Sequence, residues 1–199
     1  MPRLFTGLEI PPDIAQRLSS LRGGIEGARW VDPVNYHVTL RFIGDVDNAT
    51  ADRIDEALER IAGQRFEMVL DGVGAFGGRK PRAVWAGVSA NGALADLRRA
   101  NENAAQKAGL QAETRNFHPH VTLARLRGAK ADTVARYLGE RGSFLTQPFE
   151  VTRFVLFSSR ESRGGGPYVV ERSYPLEQPA SRGGAVRSLA EYSLDKTGE

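Results

Sequence analysis

Cysteine is absent from all 199 residues. That excludes disulfides, cysteine-based zinc sites, iron–sulfur clusters and thiol nucleophiles, and it fits a reducing compartment. Long hydrophobic runs are also missing: no stretch approaches the roughly 18 apolar residues of a membrane span. The opening segment, Met1 to Ile10, lacks the apolar core of a signal peptide. The chain is therefore expected in the cytoplasm, without a membrane partner. Charge of one sign is scarce. The 27 basic and 24 acidic residues leave a net charge of +3, too little to impose a polyanionic partner. Histidine is rare as well, with three copies, at positions 37, 118 and 120.

What is present is ordinary in bulk. Hydrophobic residues make up 41% and charged residues 26% of the chain, as in soluble globular proteins. The length suits one domain, or two small lobes sharing a core. Arginine dominates the basic set, and Arg79, Lys80, Arg82, Arg115, Arg125, Arg127 and Arg163 stand near the features below. Guanidinium groups suit bidentate phosphate contacts.

The chain repeats itself. His37-Val38-Thr39-Leu40 recurs as His120-Val121-Thr122-Leu123, 83 positions on. Chance recurrence of the last three residues after a given histidine is on the order of one in a few thousand. Phe66-Glu67 recurs as Phe149-Glu150, and Leu4-Phe5-Thr6-Gly7-Leu8 resembles Val84-Trp85-Ala86-Gly87-Val88. Each half reads strand, helix, histidine-bearing strand, helix, strand, over about residues 3–73 and 82–157. Duplication of one βαβαβ-like unit into two similar lobes is the simplest account.

Helices are expected where apolar residues recur at helical spacing. One carries Ile14, Leu18, Leu21 and Ile25 after Pro11-Pro12-Asp13 and ends at Gly23-Gly24. The second starts near Asn48 to Thr50, carries Ile54, Leu58 and Ile61, and ends at Gly63. The third carries Leu94, Leu97, Ala104 and Ala108 and stops at Gly109. The fourth carries Val134 and Leu138 and stops at Gly139. Strands are expected at 3–9, 36–43, 66–73, 82–89, 118–125, 149–157 and 167–173, with loops from Gly74 to Pro81 and from Arg160 to Pro167. The stretch 179–199 reads as a C-terminal tail, leaving 1–178 as a single bilobal domain.

Alternation along a strand sends His37 and Thr39 to one face and Val38 and Leu40 to the other; His120 and Thr122 behave likewise. If the lobes are related by a pseudo-twofold, two imidazoles and two hydroxyls surround one small volume. That set suits a phosphodiester. One imidazole takes a proton from the nucleophile and the other gives one to the leaving oxygen. The threonine hydroxyls hold nonbridging oxygens. The scheme needs no metal, no cofactor and no covalent nucleophile.

Tyr36-His37-Val38-Thr39-Leu40-Arg41-Phe42-Ile43-Gly44 and Phe117-His118-Pro119-His120-Val121-Thr122-Leu123-Ala124-Arg125 resemble the two HxTx motifs of the 2H phosphoesterase superfamily. Arg3-Leu4-Phe5, Pro81 to Val88 and the Tyr168 to Leu176 strand add a resemblance to its RNA 2′,3′-cyclic phosphodiesterases, historically called 2′-5′ RNA ligases. The resemblance implies an α+β fold of two pseudo-symmetric lobes. Each lobe has an antiparallel sheet with helices on its outer face, and the active-site cleft lies between them. It implies opening of an RNA 2′,3′-cyclic phosphate to a 2′-phosphate. His37 would be the proton donor and His120 the proton acceptor that activates water. Thr39 and Thr122 would hold the phosphate. Arg125, two residues beyond Leu123, is expected to share the face of His120 and bind substrate. His118 is expected in a structural or supporting role. The partner would be RNA with a cyclic phosphate end (tRNA fragments among the candidates) or a small cyclic nucleotide, and the chain a monomer. Reversible 2′-5′ ligation, a small cyclic-nucleotide phosphodiesterase and a non-catalytic RNA-end binding module are the alternatives.

Other signals are set aside. Gly72-Val73-Gly74-Ala75-Phe76-Gly77 matches the dinucleotide-binding pattern, but no helix start follows it to receive a pyrophosphate. Asp45 and Asp47 read as a turn and a helix start rather than metal ligands. Tyr36, Phe42, Phe76, Trp85 and Tyr168 are available to stack on bases. Phe42 and Trp85 are expected in the core, and Tyr36 on the face away from His37.

Overall fold

In the computed structural model, residues 3–159 and 167–178 are described. Arg163 with its loop and the tail 179–199 lie outside the described residues. Each expected helix forms. Helix α1 (Pro12–Ser19) starts with proline in its first turn, where the missing N–H costs nothing. It ends before Gly23, yet Leu21 and Ile25 are still buried by the turns that follow. Helix α2 (Asn48–Glu59) is capped by Asp47, whose carboxylate accepts from the Thr50 N–H at 2.7 Å. Asn91 caps α3 (Gly92–Lys107) in the same way. That helix ends where Gly109, at φ +100°, turns the chain, and the Leu110 N–H closes onto the Ala105 carbonyl. Helix α4 (Ala131–Arg141) runs through Gly139 instead of stopping there. Tyr137, 2% exposed and bonded through its hydroxyl to the Leu21 carbonyl, pins that last turn. This anchorage overrides the roughly 1 kcal/mol helix penalty of glycine.

The strands are β1 (Arg3–Glu9), β2 (Ala28–Trp30), β3 (His37–Asp45), β4 (Phe66–Met68), β5 (Leu70–Phe76), β6 (Ala83–Val88), β7 (His120–Leu126), β8 (Phe149–Val151), β9 (Arg153–Ser159) and β10 (Tyr168–Pro175). Two expected strands split, at Val69 and at Thr152. Strand β5 continues through Gly74 to Phe76, where a loop was expected, because its backbone pairs with β6: Gly74 opposes Trp85 and Phe76 opposes Ala83. Strand β2 is too short for its alternation to register in sequence, and it forms by pairing with β7.

The main sheet runs β10-β9-β1-β3-β7-β6-β5, with β2 also on β7 and neighbouring strands antiparallel; β4 and β8 form a separate antiparallel ribbon. The two repeats exchange their last strands. Strand β5 of the first repeat pairs with β6 of the second, and β9 of the second returns to β1 of the first. Two cross-strand pairs join equivalent residues of the repeats: Val38 with Val121, and Glu67 with Glu150. A pseudo-twofold axis passes through both. The described residues form an α+β fold, with antiparallel sheets, four α-helices and two related lobes.

The core lies between the helices and one face of the sheet. Val38, Leu40, Val121 and Leu123 are at most 3% exposed there, with Leu18, Ile54, Leu58 and Leu94 opposite them. Tyr36 is buried on that side too. On the other face Phe5, Val155 and Phe157 form a small separate cluster with Tyr168 against it. No helix among the described residues is long and apolar enough to cross a membrane.

Candidate active site

The two lobes meet at β3 and β7 through the single pair Val38–Val121. The pleat buries this pair and turns its neighbours to the opposite face: His37 and Thr39 on β3, His120 and Thr122 on β7. In ideal ladder geometry the Cα atoms of the two histidines are about 8 Å apart, from two rises of ~3.3 Å along the strands and one spacing of ~4.8 Å between them. A phosphorus fits between rings mounted at that separation.

Both rings are held alike. His37 Nδ1 donates to the Asn35 carbonyl at 2.8 Å, and His120 Nδ1 donates to the His118 carbonyl at 2.7 Å. A carbonyl only accepts, so Nδ1 carries the proton in each ring and Nε2 is left to exchange one. Asn35 and His118 are themselves equivalent under the repeat, so the orienting device was duplicated along with the histidines. The supporting role expected of His118 thus falls to its backbone.

A bulge in each strand supplies two further residues. Opposite β1, Leu40 has no partner: Thr39 opposes Gly7 and Arg41 opposes Thr6. Opposite β6, the equivalent Leu123 has none: Thr122 opposes Trp85 and Ala124 opposes Val84. Two successive residues are therefore buried in each strand, Leu40 with Arg41 and Leu123 with Ala124. The alternation then resumes out of phase. Strict alternation from Leu123 would bury Arg125, against its expected place on the face of His120; the bulge is what brings it there. The same device exposes Phe42, 41% accessible, which sequence reasoning assigned to the core. Phe42 and Arg125 are equivalent positions, an aromatic ring from one lobe and a cation from the other.

Trp85 also departs from its expected place in the core. Its ring lies 4.6 Å from the His118 ring and 5.3 Å from Phe76, and both His118 and Phe76 reach His120. Gly74 permits this, since a Cβ there would lie 2.3 Å from the indole. The glycine pattern beginning at Gly72 is thus strand and close packing, with no helix start. His37 has its own aromatic surround: Phe5 at 4.9 Å, Tyr168 at 5.0 Å and Phe157 at 5.5 Å. Sequence reasoning missed Phe5 and Phe157 as neighbours of the site; β1 and β9 are buried on both faces, so no alternation singled these rings out.

This enclosure has an electrostatic result. Burial lowers the His37 pKa from 6.5 to about 4; the Asn35 hydrogen bond opposes the shift, while His120 and Arg125 reinforce it. Burial lowers that of His120 as well, again with a contribution from Arg125. The mutual influence of these charges reflects their proximity. A depression of about 160 Å³ is lined by Arg3, Phe5, His37, Thr39, Phe42, Arg125, Ser159 and Tyr168; His120 and Thr122 stand beside it on β7. Larger grooves, about 470 Å³ between α2 and α3 and about 690 Å³ beside β10, contain no histidine. Among the described residues no three histidine, aspartate or glutamate side chains gather as a metal site. Asp47 is a helix cap, and Asp45 pairs with Arg3 at 3.2 Å.

Fold and cleft together define a phosphoesterase. The family model of the LigT-like phosphoesterases matches residues 8–85 and again 87–168, about one copy per sequence repeat. An RNA 2′,3′-cyclic phosphodiesterase of Aeropyrum pernix is 38% identical over 159 residues, covering 76% of this chain and 90% of that protein. One from Bacillus subtilis is 31% identical, covering 81% and 86%. The crystal structure of E. coli LigT in apo form superposes with a TM-score of 0.74 at 28% identity, covering 89% of this chain and 99% of that one. LigT complexed with 3′-AMP gives 0.73 at 26% identity. The chain belongs to the LigT-like phosphoesterase family.

Proposed function

We propose that the chain hydrolyses the 2′,3′-cyclic phosphate end of RNA to a 2′-phosphate, without a metal, by proton transfer between His37 and His120. The observation that carries this reading is the pair of imidazoles held by equivalent Nδ1–carbonyl bonds on one face of the seam. Relatives at 38% and 31% identity that bear the name RNA 2′,3′-cyclic phosphodiesterase support the substrate. His120 Nε2 takes a proton from water as the water oxygen bonds to phosphorus. The bond from phosphorus to the 3′-oxygen breaks, and that oxygen takes the proton from His37 Nε2. Thr39 and Thr122 hold nonbridging oxygens from either side, and Arg125 neutralises the charge that builds on them. Residues 1–178 act as one bilobal domain.

The test is turnover of an oligonucleotide ending in a 2′,3′-cyclic phosphate, in EDTA, with the position of the product phosphate identified. A 2′-phosphate is expected. His37→Ala and His120→Ala should each lower turnover by about 10² to 10⁴ while remaining folded. Near-normal turnover of a folded variant removes that histidine from the mechanism. Loss in EDTA restored by a divalent ion overturns the metal-free scheme.

A further inference from the structure

Arg29 stands directly opposite Arg125, one strand away, in the β2–β7 pairing. Residues opposed across an antiparallel pair share a face, so Arg29 lies on the cleft face beside Arg125. Its neighbours confirm the direction. Trp30, the next residue, packs with Tyr137 on the helix side, and Trp30 opposes the buried Ala124. Both arginines are exposed.

Two like charges placed directly across a ladder repel, which weakens the sheet. Other cations on this sheet have carboxylate partners. Arg3 meets Asp45, Arg153 meets Glu9, and the buried Arg41 meets Glu102 at 2.7 Å. Arg29 and Arg125 have no carboxylate partner among the described residues. On the far side of Arg125 the sheet presents only the small Ala83, which leaves the lane across β2, β7 and β6 open. A repelling pair at the mouth of a phosphate cleft is satisfied by an extended anion lying across both.

Resting on the function proposed above, we infer that Arg29 binds the backbone phosphate next to the cyclic end. The substrate class is then a polynucleotide rather than a mononucleotide, which has no such phosphate. Arg125 contacts the terminal nucleotide, and Arg29 contacts the one before it.

The experiment compares Arg29→Ala with the unaltered chain on a 2′,3′-cyclic mononucleotide and on an oligonucleotide with the same cyclic end. For the oligonucleotide, KM should rise about 5- to 10-fold with kcat unchanged. Its dependence of log KM on log salt should flatten by about 0.7, the value of one single-strand phosphate contact. The mononucleotide should be unaffected. Arg29→Lys should retain the salt slope, and Arg136→Ala on α4 should change nothing. Equal effects on both substrates, or none on either, overturn the inference. Fluorescence anisotropy of a single-stranded RNA ending in a 2′-phosphate tests Arg29 without turnover. If neither substrate is hydrolysed, the proposed function fails, and weakened, less salt-dependent binding by Arg29→Ala still decides whether Arg29 holds RNA.

Discussion

The titration of His37 is the most exacting measurement the site allows. The proposed proton donor must hold a proton, yet burial against Phe5, Phe157 and Tyr168 lowers this histidine to about 4. At pH 7 roughly one molecule in a thousand would then carry the proton on His37, a cost of about 4 kcal/mol. The anion itself supplies the compensation. One negative charge about 4 Å from the imidazole, at an effective dielectric near 20, favours the imidazolium by about 4 kcal/mol, or about three pKa units. Substrate binding should therefore bring the donor to near pH 7, with uptake of a proton. Side-chain NMR of labelled histidine, assigned by loss of the signal in His37→Ala, checks this directly. The free protein should titrate near 4, with the proton of the neutral ring on Nδ1. Saturating inorganic phosphate should raise the midpoint to near 7. A midpoint of 6.5 or above in the free protein would refute the desolvation reasoning. A depressed midpoint that phosphate does not move would refute the shared anion.

Two further outcomes concern what holds the cleft together. Glu102→Ala leaves Arg41 charged, 8% exposed and without its carboxylate. The expected loss is about 3–5 kcal/mol in the free energy of denaturant unfolding, and a loss below 1 kcal/mol would show that the pair is not effectively buried. Gly74→Ala drives a methyl into the Trp85 ring and should cost about 1–3 kcal/mol in the same assay. Gly92→Ala, in open space at the start of α3, should cost nothing; similar costs for the two would remove packing against Trp85 as the reason for glycine at 74.

By itself, the sequence determined whatever depends on neighbours a few positions away. Backbone pleat alone puts His37 with Thr39, and His120 with Thr122, on the face opposite Val38 and Val121. Helical spacing alone marks Ile54, Leu58, Leu94 and Leu97 as core. The 83-residue recurrence alone announces two related lobes. Tertiary structure decided whatever depends on register between strands distant in sequence. A bulge exists only relative to a partner strand, so the emergence of Phe42 and Arg125 onto the cleft face could not be read from alternation. Strand β2 exists because β7 offers it a ladder, and only that ladder sets Arg29 beside Arg125. The exchange of β5 and β9 between the repeats, and the seating of Trp85 over Gly74, follow from the same long-range pairings. Local chemistry marked the candidate catalytic groups, and cross-strand pairing chose their neighbours.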